Sequence, residues 1–342
     1  MNAIALYEHG GADKLVFTTD FPKPIIGPNE VLIEVKATAV NRVDLVVRGG
    51  YPGIQVGLPH VLGGDIAGTV AEVGADVKGF SIGQRVVTWP LIACGKCALC
   101  SEGKENLCLN WKYFGLHRHG GYAQFVAAPA ASLLGLPESV SFEEATALGV
   151  AGLTAYHAIT TVGQLERGQS FFIWGGSGGV GTIAIQLAKM TGATVAATAG
   201  KDDKLAALQN LGADHVFNHY TEDVASRVKE QFPAGVDLII DYVGPATFPK
   251  SFDLLKKGGT MLLCGIPTGR ETNFSIHQTY LRHLSVKGLY LGTKAEMHEL
   301  LSLTAERKVK PVIGSVFPLR EAAAAHTLMV KGEHLGKIVL KP

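Results

Sequence analysis

The sequence predicts an α/β protein in which a doubly wound parallel sheet of six strands follows a small barrel of short strands. Three observations carry that prediction. Strand and helix patterns alternate from Ser170 to about Gly292, as expected for parallel strands joined by helical crossovers. A glycine-rich turn, Gly176-Ser177-Gly178-Gly179-Val180-Gly181, stands between the first of these strands and its helix. Before residue 165 the chain breaks into short β-rich runs punctuated by Gly and Pro, which read as a small barrel.

In the barrel part the runs are Ala3–Tyr7, Val31–Val40, Ile66–Val73 and Arg85–Thr88, with Phe21-Pro22-Lys23-Pro24 and Gly27-Pro28 as breaks. The alternating part offers strands at Phe171–Trp174, Thr194–Ala199, His215–Phe217, Asp237–Tyr242, Met261–Cys264 and Val286–Leu291. Helical periods lie between them at Ile183–Met190, Asp203–Leu211 and Glu222–Gln231, and Leu211-Gly212 marks a helix end with Gly just beyond it. After Gly292, a helix at Ala295–Arg307 precedes β, helix and β at Val312–Phe317, Glu321–Val330 and Lys337–Leu340. This tail is expected to rejoin the first domain.

Composition bounds the function classes. Apolar residues make up 47% and charged residues 18%, enough for a sizeable core and against disorder. A net charge of +1 gives no electrostatic case for nucleic acid or an anionic membrane. Two stretches, Ala145–Leu165 and Gln169–Ala188, carry no Asp, Glu, Lys or Arg; their Gly, Thr and His content favours buried helices and strands over a membrane span. Met1–His9 lacks the basic and apolar regions of a signal peptide.

The glycine turn suits a dinucleotide. Gly176 is expected to make the tight turn, Gly178 to let a pyrophosphate approach the backbone, and Gly181 to permit close helix–strand packing. Unpaired N–H groups of Gly179, Val180 and the helix start would then meet the phosphates, with Ser177 beside them. After the second strand comes Ala199-Gly200-Lys201, with Lys204 one helical turn later. No acid stands there to hold the ribose hydroxyls of NAD(H), and two cations are available to a 2′-phosphate, so NADP(H) is favoured over NAD(H). Asp202 and Asp203 suit the first turn of the next helix.

Four of the five cysteines cluster as Cys94-x-x-Cys97-x-x-Cys100 and Cys108. Without a secretory signal, the pattern favours one structural zinc ion per chain in a reducing, cytoplasmic setting over disulfides. Gly95, Gly103 and Pro90 supply bends for the loop. Cys264 is expected in a buried strand as a plain core residue. His60, His117, His119 and His157 follow no ligand spacing and read as structural or surface histidines.

Glycine turn, cysteine lobe and domain order together resemble the medium-chain dehydrogenase/reductase superfamily over nearly the whole chain. The resemblance implies a GroES-like β-barrel catalytic domain at 1–126, completed by 296–342, and a Rossmann NAD(P)-binding domain at 127–295. Zinc alcohol dehydrogenases of this superfamily take catalytic zinc ligands at three positions, which are Asn41, Gly64 and Val150 here; their proton-relay hydroxyl position is Val43. Gly and Val side chains cannot bind zinc, and a catalytic site needs three protein ligands. The segments Asn41-x-Val43-Asp44-x-x-x-Arg48-x-Gly50 and Gly63-x-Asp65-x-x-Gly68-x-Val70 instead resemble the quinone oxidoreductase branch, many members of which lack the cysteine lobe kept here.

The resemblance implies an NADPH-dependent reductase that passes hydride to a quinone or an α,β-unsaturated carbonyl without catalytic zinc. Asn41, Asp44 and Tyr51 are expected to line the pocket, Asn41 and Tyr51 as donors to the substrate carbonyl. Thr154 matches the residue beside the nicotinamide, and Asn218 and His219 the region of the adenine ribose. Two alternatives stand: a zinc-dependent alcohol dehydrogenase with unusual ligands, and a non-enzymatic NADPH-binding sensor or structural protein. The family also implies a homodimer or tetramer, with Val286–Leu291 as a pairing edge.

Overall fold

The strand Glu30–Ala39 organises the first of two units in the computed structural model, which describes all residues from Met1 to Pro342. It pairs antiparallel with Asp65–Val73, with Phe125–Pro129 and with Lys337–Lys341. The seven-stranded sheet runs Leu133–Gly135, Arg85–Thr88, Asp65–Val73, Glu30–Ala39, Lys337–Lys341 and Ile313–Pro318, with Phe125–Pro129 as a branch. A second sheet joins Leu15–Thr18, Ala3–Leu6 and His60–Val61. A core cluster on the seven-stranded sheet is β-branched and aliphatic, with Val31, Ile33, Ile66, Val86 and Val126 buried beside Phe114. Two strands of the C-terminal tail, Ile313–Pro318 and Lys337–Lys341, join this sheet.

The first unit comprises Met1–Ala151 and Thr293–Pro342, the second Gly152–Gly292. The first boundary falls later than the expected 126/127. Leu133–Gly135 pairs with Arg85–Thr88, and helix Phe142–Ala147 packs on Glu30–Ala39 and Asp65–Val73, which keeps residues 127–151 in the barrel.

In the second unit, six strands lie in the order His215–Asn218, Thr194–Ala199, Ser170–Ile173, Val236–Asp241, Leu255–Leu263, Ser285–Gly288, and every adjacent pair is parallel. This is the doubly wound Rossmann order, with the reversal at Ser170–Ile173. Phe172, Trp174, Ile239, Phe248, Phe252 and Met261 fill the core on one side. Trp174 Nε1 donates to Ser251 Oγ at 2.7 Å, and Ser251 Oγ to Asp241 Oδ2 at 2.7 Å. Asp241 Oδ1 also accepts the Val243 and Gly244 N–H groups and the Thr247 hydroxyl, so this buried carboxylate fixes the loop after its strand.

Some boundaries differ from the sequence pattern. The fifth strand starts at Leu255, ahead of the expected Met261, and runs through Gly258-Gly259. The sixth stops at Gly288, because Leu291 has φ 55°, outside the range of a strand. Cys264 follows the last residue of its strand and is half-buried, not enclosed within a strand as expected. Helices Arg42–Gly49, Phe248–Leu254 and Ile276–Leu281 have no counterpart in the pattern, each being too short to display a clear period. No helix is long and apolar enough to cross a membrane.

Candidate functional site

The glycine turn lies between strand Ser170–Ile173 and helix Gly179–Thr191. The left-handed residue is Gly175 (φ 62°), one position earlier than the sequence reading placed the turn. Gly176 is needed for packing: a Cβ there would lie 2.9 Å from Ala197 Cβ and 3.1 Å from Leu208 Cδ1. A Cβ on Gly181 would lie 2.5 Å from Gly176 Cα, so helix and turn touch through backbone. The first N–H bonded inside the helix is that of Thr182, to Gly178 O. The N–H groups of Gly179, Val180 and Gly181 precede it and suit an anion. Tyr242, which the sequence reading passed over, donates its hydroxyl to Gly175 O, and its Oη would stand 3.1 Å from a Cβ on Gly178.

Beyond the second strand, Lys201 caps helix Asp202–Asn210 and is exposed, whereas Lys204 is only 6% exposed. Gly200 leaves room for two rings, since a Cβ there would lie 2.4 Å from Tyr220 Cε2 and 3.1 Å from His219 Nε2. His219 Nδ1 meets Thr198 Oγ1 at 3.2 Å, and the same hydroxyl oxygen accepts the Gly175 N–H at 2.9 Å. Burial, and then the charge of Lys204, hold His219 below the usual histidine range. Asn218 Nδ2 donates to Asp202 Oδ1 at 3.1 Å. Strand order thus gathers Gly200, Lys204 and His219 at one corner of the sheet, with Lys201 at its edge. Tyr220 joins them; an exposed aromatic after Asn218-His219 is the only sequence signal it gives.

In the first unit, strand register assembles a buried polar cluster. Val339 pairs with Ala39 in antiparallel register, and Ala39 pairs with Asp65 on its other side. Two residues beyond these pairs, Lys337 meets Asn41. Lys337 Nζ donates to Asn41 Oδ1 at 2.6 Å, Val40 O at 3.0 Å and Asp65 Oδ2 at 3.1 Å. Asn41 Nδ2 donates to Asp65 Oδ2 at 2.8 Å, and Asp65 Oδ1 accepts the Val150 N–H at 2.7 Å.

Asn41 is also the N-cap of helix Arg42–Gly49, and its N–H donates to Asp44 Oδ2 at 2.8 Å. Asp44 Oδ1 accepts the Gly63 N–H at 3.2 Å, and Oδ2 also accepts the Tyr122 hydroxyl at 3.3 Å. Burial is the largest influence on Asp44 and pushes its carboxyl up to about 7, although the Asn41 N–H and Lys337 oppose this. His326 extends the chain of bonds. Arg48 Nη1 lies 3.2 Å from its Nδ1 and can only donate, so Nδ1 accepts. Burial, and then the charge of Arg48, lower His326 to about 3. The neutral ring therefore carries its proton on Nε2, 3.0 Å from Tyr122 Oη.

The four-cysteine lobe folds around Gly95 (φ 71°) and Gly103 (φ 72°). Its sulfurs all lie within 4.8 Å of one another, with Sγ–Sγ separations of 3.5 Å for Cys97–Cys100 and 3.9 Å for Cys94–Cys100 and Cys97–Cys108. A tetrahedron with Zn–S bonds of about 2.3 Å has edges of about 3.8 Å. Cys94 N–H and Asn110 N–H donate to Cys108 Sγ at 3.2 Å and 3.4 Å, which suits a thiolate. The donor set fits a closed structural zinc site. Strands Leu91–Ile92 and Lys112–Tyr113 pair at the base of the lobe and deliver Tyr113 against Gly64.

Residues 27–138 match the family model of the alcohol dehydrogenase GroES-like domain, and residues 179–306 that of the zinc-binding dehydrogenases. An alcohol dehydrogenase of Geobacillus stearothermophilus is 34% identical over 320 residues, covering 93% of this chain and 94% of its own. A quinone oxidoreductase of Homo sapiens is 30% identical over 348 residues, covering 99% and 97%. A crystal structure described as an NAD-dependent alcohol dehydrogenase superposes with a TM-score of 0.96 at 36% identity, over 100% of both chains. The chain belongs to the medium-chain dehydrogenase/reductase superfamily. It is an NAD(P)H-dependent oxidoreductase.

The three positions where zinc-dependent members of the superfamily hold catalytic metal do not fit one here. Asn41 is engaged at both ends of its amide. A Cβ on Gly64 would lie 2.1 Å from Tyr113 Oη, so any side chain there would have to displace the tyrosine ring. Val150 has no ligand atom in its side chain and donates its N–H to Asp65. Tyr51 follows the helix C-cap Gly50 and is half-buried. Thr154 is buried in helix Leu153–Tyr156 of the second unit. The histidines gather no metal site: His60 and His119 rings contact at 5.3 Å, and His117 Nδ1 accepts the Tyr113 N–H.

Proposed function

We propose that this protein is an NADPH-dependent reductase of quinones or α,β-unsaturated carbonyl compounds, working without catalytic zinc. The observation that carries this reading is the cluster of Asn41, Asp65 and Lys337, a hydrogen-bonded network of organic groups at the positions 41 and 65. Bound NADPH supplies a hydride, which an electron-poor conjugated carbon accepts without Lewis-acid help. The chain's own task is then to bind and orient. Gly176–Gly181 take the pyrophosphate at the helix start, Thr154 packs beside the nicotinamide, and Gly200, Lys201, Lys204 and His219 receive the adenosine 2′-phosphate. Asn41 donates an amide hydrogen to the substrate carbonyl as negative charge develops on its oxygen. Tyr51 supplies a second hydroxyl donor, and Asp44 braces the Asn41 backbone. Cys94, Cys97, Cys100 and Cys108 hold one zinc that fastens their lobe.

The lysines support NADP(H) over NAD(H), as does the likeness to a mycobacterial protein solved with NADPH (29% identity, TM-score 0.85, 100% of both chains). The edge strand Ser285–Gly288, near the exposed Ile276, Tyr280 and Leu281, supports a homo-oligomer. Thiolate ligands for zinc suit the reducing cytoplasm.

The test is a steady-state screen of quinones, enones and acryloyl-type thioesters with NADPH and NADH in parallel, joined to metal analysis. Turnover with NADPH at one zinc per chain is expected. Two tightly bound zincs with alcohol oxidation would replace this reading by that of a zinc alcohol dehydrogenase. NADPH binding without turnover across the panel would replace it by that of a sensor.

A further inference from the structure

The Lys337 ammonium has three hydrogens and three oxygen partners: Val40 O, Asn41 Oδ1 and Asp65 Oδ2. Its side chain is 4% exposed and that of Asp65 0%. An ammonium can only donate and an ionised carboxylate only accept. Asn41, set between them, is therefore held in one amide orientation, Oδ1 to the ammonium and Nδ2 to the carboxylate. Reversing the amide would oppose donor to donor and acceptor to acceptor, losing both bonds. One Nδ2 hydrogen is spent on Asp65, and the second remains for another acceptor. Asp65 is occupied too: Oδ1 by the Val150 N–H, Oδ2 by Asn41 and Lys337. Gly149 keeps this packing open, since a Cβ there would lie 2.2 Å from Asp65 Oδ1.

We propose that Lys337 is a positioning residue for substrate reduction. Its ammonium is the resident cation of the cluster at positions 41, 65 and 150, and it fixes the Asn41 carboxamide so that the second Nδ2 hydrogen points to the substrate carbonyl. The inference rests on the reductase reading, in which Asn41 meets that carbonyl. It assigns Lys337 a role that no sequence motif near Asn41 reveals, because the two residues lie 296 positions apart.

The test is a double-mutant cycle with Lys337→Met and Asn41→Ala, reading kcat, KM for NADPH, thermal unfolding and zinc content. Each single variant is expected to lower kcat about tenfold or more while KM for NADPH stays within about twofold, and the double variant to fall no further than Asn41→Ala alone. Lys337→Met strands a buried carboxylate. Should it fail to fold, the same four proteins are compared in an Asp65→Asn background, where the charge has gone with its partner. Additive losses in kcat, wild-type kcat in Lys337→Met, or a second tightly bound zinc in the unaltered protein would overturn the proposal. Failure of the reductase reading itself looks different: no protein in the set, the unaltered one included, turns over a quinone or enone. The thermal cycle then still reports on the linkage, with non-additive losses of Tm expected for the pair and additive losses contradicting it.

Discussion

Tyr113 occupies the space beside Gly64: a Cβ on that glycine would lie 2.1 Å from the tyrosine Oη and 2.4 Å from its Cζ. Tyr113 is 1% exposed and held by strand pairing with Leu91, so it cannot swing aside freely. Gly64→Ala is expected to destabilise by about 2 kcal/mol or more through overpacking. Gly64→His, which restores the side chain of zinc-dependent relatives, is expected to lower Tm further without raising zinc above one per chain. Thermal unfolding with metal analysis checks both; a second zinc in Gly64→His would show that the space can be vacated.

Removing one thiol should release the lobe's metal. Cys100 Sγ lies 3.5 Å from Cys97 Sγ and 3.9 Å from Cys94 Sγ. Cys100→Ser is expected to reduce zinc from one per chain to a small fraction and to lower Tm, because three thiolates cannot close the tetrahedral site and repel one another without a cation. Retention of stoichiometric zinc would argue against the four-cysteine assignment.

Stability should fall at both ends of the pH range, for opposite reasons. Asp44, pushed up to about 7 chiefly by burial, keeps its proton where an unfolded carboxyl near 3.9 has lost it. Its contribution is complete below about pH 4 and is lost as pH rises through 7. His60 is lowered to about 4 and His326 to about 3, burial being the main cause in each. Their contribution is complete above about pH 6.5, the unfolded value, and is lost as pH falls toward 4 and 3. Tm measured from pH 3 to 9 should therefore pass through a maximum. Asp44→Asn is expected to flatten the alkaline limb at a lower overall Tm, and His60→Phe the acid limb; unchanged limbs would show that these groups do not set the profile.

Lys204 is buried beside His219, an uncommon place for a lysine, at the sheet corner that also holds Gly200. Lys204→Gln is expected to raise KM for NADPH about tenfold while KM for NADH changes within about twofold, the loss of one charge-assisted bond to a phosphate. Equal effects on both coenzymes in parallel kinetics would assign Lys204 to general packing instead.

The cluster at Asn41 shows where sequence reading stops. The pattern Asn41-x-Val43-Asp44-x-x-x-Arg48 shows that zinc ligands are missing, yet gives no sign of what stands in their place. Tyr113, Tyr122, His326 and Lys337 come from distant segments, and only strand register and the base of the cysteine lobe bring them in. The same holds at the glycine turn. Gly176 and Gly181 are visible as a motif, but Tyr242 reaches the turn from the end of a strand 67 residues on.

Local pattern alone determined the six alternating strands, the glycine turn and the spacing of the four cysteines, while the family resemblance pointed to the lack of Cys or His at positions 41, 64 and 150. Each local pattern is a property of neighbouring residues: periodicity, a required backbone freedom, or ligand spacing. Tertiary structure decided what fills those positions. Val339 pairs with Ala39, and Ala39 with Asp65. That register sets a buried ammonium, carboxylate and carboxamide together, because a charge taken out of water persists only where strands deliver its partners.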